Sequence, residues 1–571
     1  MNATLCDGWG SRMMQRGRRI RYAWIILPFA LLVGFAITFN PNVNQWLVTF
    51  AWLGALLSWA FGIWYFDEPV TDRHGDRRHV WVLVPFVAVF AATWLPFYNN
   101  WRWAIMADST GWFLFPFEAA KQGLARSILS MDGVARLFTY TEVISVNFPM
   151  LVFSPTFFWH RMGNFMISTL SLLAIYTFFS LILDFPWALA IAIATAATWH
   201  FQVMSHASWD HIDSFIFAYL TLSAFTLIVR DPERRTRWLA LGTVAGLSLF
   251  FTPTAWAEVA ACGMAIGVWA AYRRKFAGLA VCGASFLIAG LPILMQLHQF
   301  THAATDRARV DWDWAYLYRI FKLVLWLPAG ARLNAVQYAG AIAAWPCGDF
   351  YFAGLGIAAL CLVPWIRRRL RLPPAVSGLL CLFLFEALLM TVTNNLNSNL
   401  SPARAYHLIP LLAFFALLPF YTLAVAVRAS PFAYRTVTAI AFLAVAAYVM
   451  VSATLLLYPS RFGGNVYDGI VRVHQLFPDR KVLVVADNPG IGAEVENPNV
   501  LFNIAYHVYE TVTVTRAIDE DVVAASCAAR NILCYYDTPA NREQFERATA
   551  GHLLRRIDLS ALAELRCFEC S

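Results

Sequence analysis

Apolar runs of about 20 residues, long enough to cross a bilayer, recur along this chain, and each cluster of basic residues between them falls on one side of the membrane they would cross. The clusters are Arg16, Arg18, Arg19 and Arg21; Arg73, Arg77 and Arg78; Arg230, Arg234, Arg235 and Arg237; Arg273, Arg274 and Lys275; Arg367, Arg368, Arg369 and Arg371; Arg428 and Arg435. Lys and Arg are retained on the cytoplasmic side, so the alternation of basic turns with long non-basic segments sets inside and outside. The long segments, where function is expected, then lie outside.

With 59% of its 571 residues hydrophobic and 14% charged, the chain carries too much apolar surface for a soluble globule. It reads as an α-helical polytopic membrane protein with about thirteen transmembrane helices: 23–40, 45–66, 80–98, 163–183, 185–204, 214–229, 238–253, 255–271, 277–296, 350–366, 374–392, 408–427 and 436–457. No small-residue cleavage site follows 23–40, which is therefore read as a retained span. The net charge of +8 resides mostly in the Arg clusters, so it reports orientation and not a nucleic-acid partner. Membrane lipids are the expected surroundings.

Threaded with the amino terminus inside, this count leaves 99–162, 297–349, 393–407 and everything after about residue 458 on the outer side. The expected domains are an N-terminal pair of spans (1–79), a membrane domain with functional outer loops (80–457) and an extracytoplasmic α/β domain (458–571). In the first outer loop Trp101, Trp103, Trp112, Phe113, Phe115 and Phe117 stand among charged residues, and 113–130 reads as a helix lying in the interface. Segment 297–349 is similar, with Trp312, Trp314, Tyr316, Phe321 and Trp326 beside Asp311, Asp313, Arg319 and Lys322. An aromatic belt at the membrane surface is the alternative for these rings.

Beyond 458, strand patterns at Lys481–Ala486, Glu510–Thr515 and Ile532–Tyr536 alternate with helical patterns around 499–509, 519–530 and 541–550. Gly490 and Gly492 give a bare G-x-G, which does not define a nucleotide site. Outside the cytoplasm Cys527, Cys534, Cys567 and Cys570 are expected in disulfides. A zinc site from the four is the alternative, although C-x₆-C with C-x-x-C is not a standard ribbon. Cys262, Cys282, Cys361 and Cys381 lie in spans and read as packing residues.

Ionisable residues near the outer ends of spans carry the chemistry, because charge at membrane depth is costly and tends to be kept for a task. Asp108 stands directly before the interfacial helix, where it either reacts or caps that helix. His206, Asp210 and Asp213 close one span and open the next. The two aspartates share a helical face and could bind a divalent cation with His206, or serve as caps and cavity-facing polar groups. Arg404 and His407 open the span from 408, where positive side chains add to the positive helix end, an arrangement suited to a phosphate; snorkelling to lipid head groups is the plainer role for Arg404. Glu258, just inside a span, is a further cavity candidate.

Asp108 with 113–130, the stretch Pro402-Ala-Arg404-Ala-Tyr406-His407-Leu-Ile-Pro410 and the Gly-rich Leu241-Gly-Thr-Val-Ala-Gly246 together resemble the GT-C superfamily of integral membrane glycosyltransferases, in its protein O-mannosyltransferase-like and aminoarabinose-transferase-like branches. The likeness spans roughly 80–457. Two spans precede the one that normally leads into the catalytic loop, and Asp108 lacks the second carboxylate of a D-x-D or E-x-D pair. The resemblance implies transfer of a sugar from a polyprenyl-phosphate carrier to an extracytoplasmic acceptor, with inversion at the anomeric carbon. Asp108 would be the base, while Arg404 and His407 would hold the donor phosphate. No cofactor is required in this expectation, with Mg²⁺ or Mn²⁺ at His206, Asp210 and Asp213 as the alternative. It also places the protein in the inner membrane of a bacterium. A multi-span transporter or lipid flippase is the rival, although no repeated halves are visible.

Overall fold

The computed structural model of the chain describes residues 27–28, 30–33, 45–66, 157–198, 201, 205, 210–250, 256–304, 350–395, 407–457, 472–473, 476–485, 512–515, 518–559 and 565–570. The helices are α1 (Gln45–Phe66), α2 (Phe157–Ile182), α3 (Phe185–Ala197), α4 (Ser214–Arg230), α5 (Arg235–Ser248), α6 (Trp256–Tyr272), α7 (Phe276–Ala304), α8 (Phe350–Leu360), α9 (Pro364–Arg369), α10 (Ala375–Asn395), α11 (Ile409–Ala426) and α12 (Pro431–Leu457). Among the described residues, four stretches are long and apolar enough to cross a membrane: Met162–Ile182, Phe276–Leu294, Ile409–Ala426 and Pro431–Met450. Shorter apolar helices, among them Ser214–Arg230 and Glu258–Tyr272, pack with them. Large side chains such as Val268, Leu443 and Met450 face outward, as an apolar bundle in lipid requires. The chain is an integral membrane protein.

Ion pairs join neighbouring turns two by two. Lys275, between α6 and α7, pairs with Glu233, between α4 and α5. Arg428, between α11 and α12, lies 3.6 Å from Asp184, between α2 and α3. The stretch 350–366 that reads as one span is instead broken after Leu360. Pro364 suits the first turn of a new helix, and α9 carries Arg367, Arg368 and Arg369 in its last turn.

Among lipid-embedded helices close approach of small residues replaces hydrophobic driving force. The α5–α7 contact is built this way: a Cβ on Gly242 would stand 2.1 Å from the Cys282 carbonyl oxygen, and one on Gly246 would stand 2.6 Å from that of Phe286. Helix α1 docks on the same pair through indole hydrogen bonds, Trp52 Nε1 to the Ile288 carbonyl at 2.9 Å and Trp59 Nε1 to Ser285 Oγ at 2.8 Å. Helix α11 is apolar on all sides and is accordingly buried, with Ile409 through Leu418 in the core against α3, α8 and α12.

The C-terminal region forms a five-stranded sheet in the order β2-β1-β3-β5-β4, from β1 (Val482–Val485), β2 (Val512–Thr515), β3 (Ile532–Tyr536), β4 (Leu554–Ile557) and β5 (Leu565–Cys570). The first three strands in the sheet order pair in parallel and the last two add antiparallel. β1 is an unbroken buried apolar run, the pattern of a strand covered on both faces. Helix α13 (Glu520–Ala528) starts on an Asp519 cap, 2.8 Å from the Val522 amide, and α14 (Pro539–Thr549) on Thr538, 3.2 Å from the Asn541 amide. Phe545 and Tyr535 fill the core under α14. The four cysteines form two disulfides, Cys527–Cys570 and Cys534–Cys567; the latter joins residues directly opposite on β3 and β5.

Candidate functional site

Three ionisable side chains converge inside the apolar bundle. Glu258 lies in the first turn of α6, Glu386 midway along α10, and His407 in the 3₁₀ turn that leads into α11. Their exposures are 2%, 0% and 1%. His407 Nε2 is 2.9 Å from Glu258 Oε1 and 3.7 Å from Glu386 Oε2. Each residue offers one ligand atom, and the three atoms lie within 4.8 Å of one another.

Depth follows from helix length. At 1.5 Å per residue, Glu258 stands about 21 Å from the Tyr272 end of α6 and Glu386 about 16 Å from the Ala375 end of α10. His407 is about 28 Å from the Ala426 end of α11. Each of these ends adjoins a basic turn, so the cluster lies toward the parts of these helices away from the basic turns.

Such burial is unfavourable unless the charges are balanced. One imidazole cannot neutralise two carboxylates, so a shared proton or a cation must complete the set. Among the described residues no nitrogen or hydroxyl donor reaches Glu258 Oε2 or either oxygen of Glu386, and the two carboxyls are close enough to hydrogen-bond to each other through a proton. The surrounding scaffold is firm: Tyr219 of α4 donates its hydroxyl to the His407 carbonyl at 3.1 Å. Cys262 is buried one turn below Glu258 on the same face of α6.

The remaining sequence candidates are placed as follows. Asp108, His206 and Arg404 lie outside the described residues. Asp210 opens a 3₁₀ turn, Asp210–Asp213, that runs into α4, and Asp213 at its end is fully buried. That region is tied to α2, where Asn164 Nδ2 donates to the Ser205 carbonyl at 2.6 Å and Ser171 Oγ to that of Ile212 at 2.9 Å. Glu258 and His407, chosen from sequence for unrelated reasons, are direct partners. Glu386 was absent from the sequence candidates, although an ionisable residue inside an apolar span is a functional signal by itself.

No family model matches this sequence, and no curated protein matches it. Among solved structures, the chain is similar to ArnT from Cupriavidus metallidurans bound to undecaprenyl phosphate, with 12% identity, 87% of this chain and 98% of that chain covered, and a TM-score of 0.48. It is also similar to an apo oligosaccharyltransferase from Archaeoglobus fulgidus, with 11% identity, 81% and 70% covered, and a TM-score of 0.46. The archaeal oligosaccharyltransferase AglB from Archaeoglobus fulgidus, in complex with an inhibitory peptide and a dolichol-phosphate, gives the same values: 11%, 81%, 70% and 0.46. With TM-scores below 0.5, these neighbours leave the functional reading to the chain's own residues.

Proposed function

We propose that this protein is a GT-C-like glycosyltransferase that moves a sugar from a polyprenyl-phosphate carrier to an extracytoplasmic acceptor, with inversion at the anomeric carbon. The observation that supports it is the anchoring of His407. His407, in the stretch Pro402 to Pro410 that carries the resemblance, has its Nε2 2.9 Å from Glu258 Oε1 and 3.7 Å from Glu386 Oε2 inside the bundle. Arg404 lies three residues earlier in the sequence.

In this reading Asp108 takes the proton of the acceptor hydroxyl as its oxygen attacks the anomeric carbon. The bond from that carbon to the carrier phosphate breaks on the opposite face, and the phosphate leaves with the bonding pair. Arg404 stabilises the charge that builds there. His407, its Nε2 turned toward the glutamates, contributes to the phosphate site by positioning the turn that leads into α11. Asp108 has no neighbouring carboxylate in sequence, and hard cations take several oxygen ligands, so no Mg²⁺ or Mn²⁺ is required at the reacting atoms. Disulfides in the C-terminal sheet support an extracytoplasmic side for that domain.

A second reading, proton- or cation-coupled transport, is favoured by the same buried cluster, because ionisable groups within spans also mark ion pathways. Purified protein in detergent, given a labelled polyprenyl-phosphate sugar and a membrane extract as acceptor source, separates the two, since transport leaves the donor intact. Release of polyprenyl phosphate with label in a new product is the expected result. Asp108→Asn is expected to lower it by about 100-fold or more, with normal expression. Arg404→Lys should weaken transfer clearly and Arg404→Ala nearly abolish it. Full activity in Asp108→Asn removes the base from this scheme, and full activity in Arg404→Ala returns that residue to the lipid surface.

A further inference from the structure

We infer that Glu258, Glu386 and His407 form a buried binding site for one divalent transition-metal ion of the zinc class, which joins α6, α10 and α11 away from the basic turns. This inference does not depend on whether the chain transfers a sugar.

The donor set carries it first. One imidazole nitrogen and two carboxylates are the ligand types zinc takes, at about 2.0–2.2 Å, so neighbouring ligands around a tetrahedral ion stand about 3.3 Å apart. The separations of 2.9 and 3.7 Å from Nε2 to the two carboxylates bracket that value, and all three ligand atoms lie within 4.8 Å. Small movements of side chains, without movement of helices, bring them onto one ion.

Unsatisfied oxygens are the second and separate observation. Glu386 is fully buried, and no nitrogen or hydroxyl donor among the described residues reaches its oxygens or Glu258 Oε2; the two carboxyls can hydrogen-bond to each other when one carries a proton. A protonated imidazole with one proton shared between the carboxyls could balance the charge, but each proton serves a single hydrogen bond. A dication balances both carboxylates with a neutral imidazole and uses one lone pair from each residue at the same time.

Mg²⁺ and Ca²⁺ fit poorly, since they take six or more oxygen ligands, whereas this buried set offers three residues, one of them through a nitrogen. Three protein ligands leave one position of a tetrahedral ion open. Because the ligands come from three helices distant in sequence, the ion would act as a clamp on the bundle.

The test uses the full chain, expressed in zinc-supplemented medium because a buried site loads during folding, then purified in detergent and desalted. About one zinc per chain is expected by mass spectrometry of the metal, falling below about a tenth in Glu386→Gln and in His407→Asn. Removal of zinc by 1,10-phenanthroline should lower the apparent Tm of wild type. Zinc-free wild type with a Tm indifferent to the chelator overturns the site, as does retention of one zinc per chain in both variants. Should the variants fail to fold, Co²⁺ in place of Zn²⁺ decides on wild type alone: visible absorption of a nitrogen- and oxygen-ligated ion supports the site, and its absence overturns it.

Discussion

Replacing His407 by leucine asks whether the buried cluster is a mutually dependent unit or three separate polar residues. At 2.9 and 3.7 Å, an effective dielectric near 20 gives roughly 6 and 4.5 kcal/mol of attraction between full charges. Dehydration of the same groups consumes most of that gain. Removing one partner leaves the dehydration uncompensated, so His407→Leu is expected to cost about 3–5 kcal/mol. Two glutamates then face each other in the apolar interior, and a metal would lose its nitrogen ligand. Replacing all three by leucine removes the buried charge altogether, at similar side-chain volume, and should recover more than half of the loss; contacting residues are expected to be strongly non-additive. The assay is the apparent unfolding midpoint in one detergent, compared at one heating rate because unfolding of such proteins is commonly irreversible. A His407→Leu protein as stable as wild type would refute the reasoning, as would a triple variant less stable than the single one.

Gly354→Ala should be severe, because its Cβ would stand 1.6 Å from the Phe415 carbonyl oxygen of α11, against an ordinary carbon–oxygen contact of about 3.3 Å. A cost of about 3 kcal/mol is expected, while Gly267→Ala, with no atom within 4 Å, should be neutral or stabilising by up to about 1 kcal/mol; equal midpoints for the two would show that α8 and α11 do not touch through backbone. In the C-terminal domain, burial pushes the Asp537 carboxyl up, but hydrogen bonds and charge from Arg542 and Arg566 outweigh it and hold the group below the usual carboxylate range. Its stabilisation is therefore complete above the unfolded value of about 3.9 and lost as pH falls through the folded value; Asp537→Asn should cost about 1–2 kcal/mol at neutral pH and progressively less as pH falls below the unfolded value, measured by pulse proteolysis of this domain, and a pH-independent difference counts against the ion pair. A membrane-impermeant maleimide added to intact cells after mild reduction should reach Cys527 or Cys570, whereas labelling that needs permeabilisation would place the domain in the cytoplasm.

The helices were legible because length and apolarity are local properties: α1 begins and ends where the 45–66 pattern does, α4 and α6 differ from the expected spans by no more than one residue at either end, and α12 starts five residues early. Where a boundary moved, as between α8 and α9, a proline at the helix start and three arginines decided it. In the C-terminal sheet the apolar runs of β1 and β3 were readable, but β4, Leu554-Arg-Arg-Ile557, offers no such run. It joins the sheet by antiparallel pairing with β5, a non-local event. Four cysteines also permit three connectivities, and only the opposition of Cys534 and Cys567 across β3 and β5 selects one.

The buried cluster shows the same limit from the side of function. Glu258 and His407 each carried a signal, one as an acid inside a span and the other as a cation at a helix start, but nothing in the sequence joined them. Glu386 went unnoticed because attention to the outer ends of spans passes over a residue about 16 Å from the basic end of its helix, where an ionisable group is most costly. What joins the three is axial register. One helical turn is about 5.4 Å, longer than the 4.8 Å within which the three ligand atoms lie, so sliding α6, α10 or α11 by a turn removes its residue from the set. The close backbone contact of Gly354 with Phe415 fixes α11 against α8, and the hydrogen bond from Tyr219 fixes its entry against α4. Packing that carries no chemistry thereby determines whether the chemistry-bearing residues meet, and a substitution at Gly354 should disturb the cluster as well as the fold.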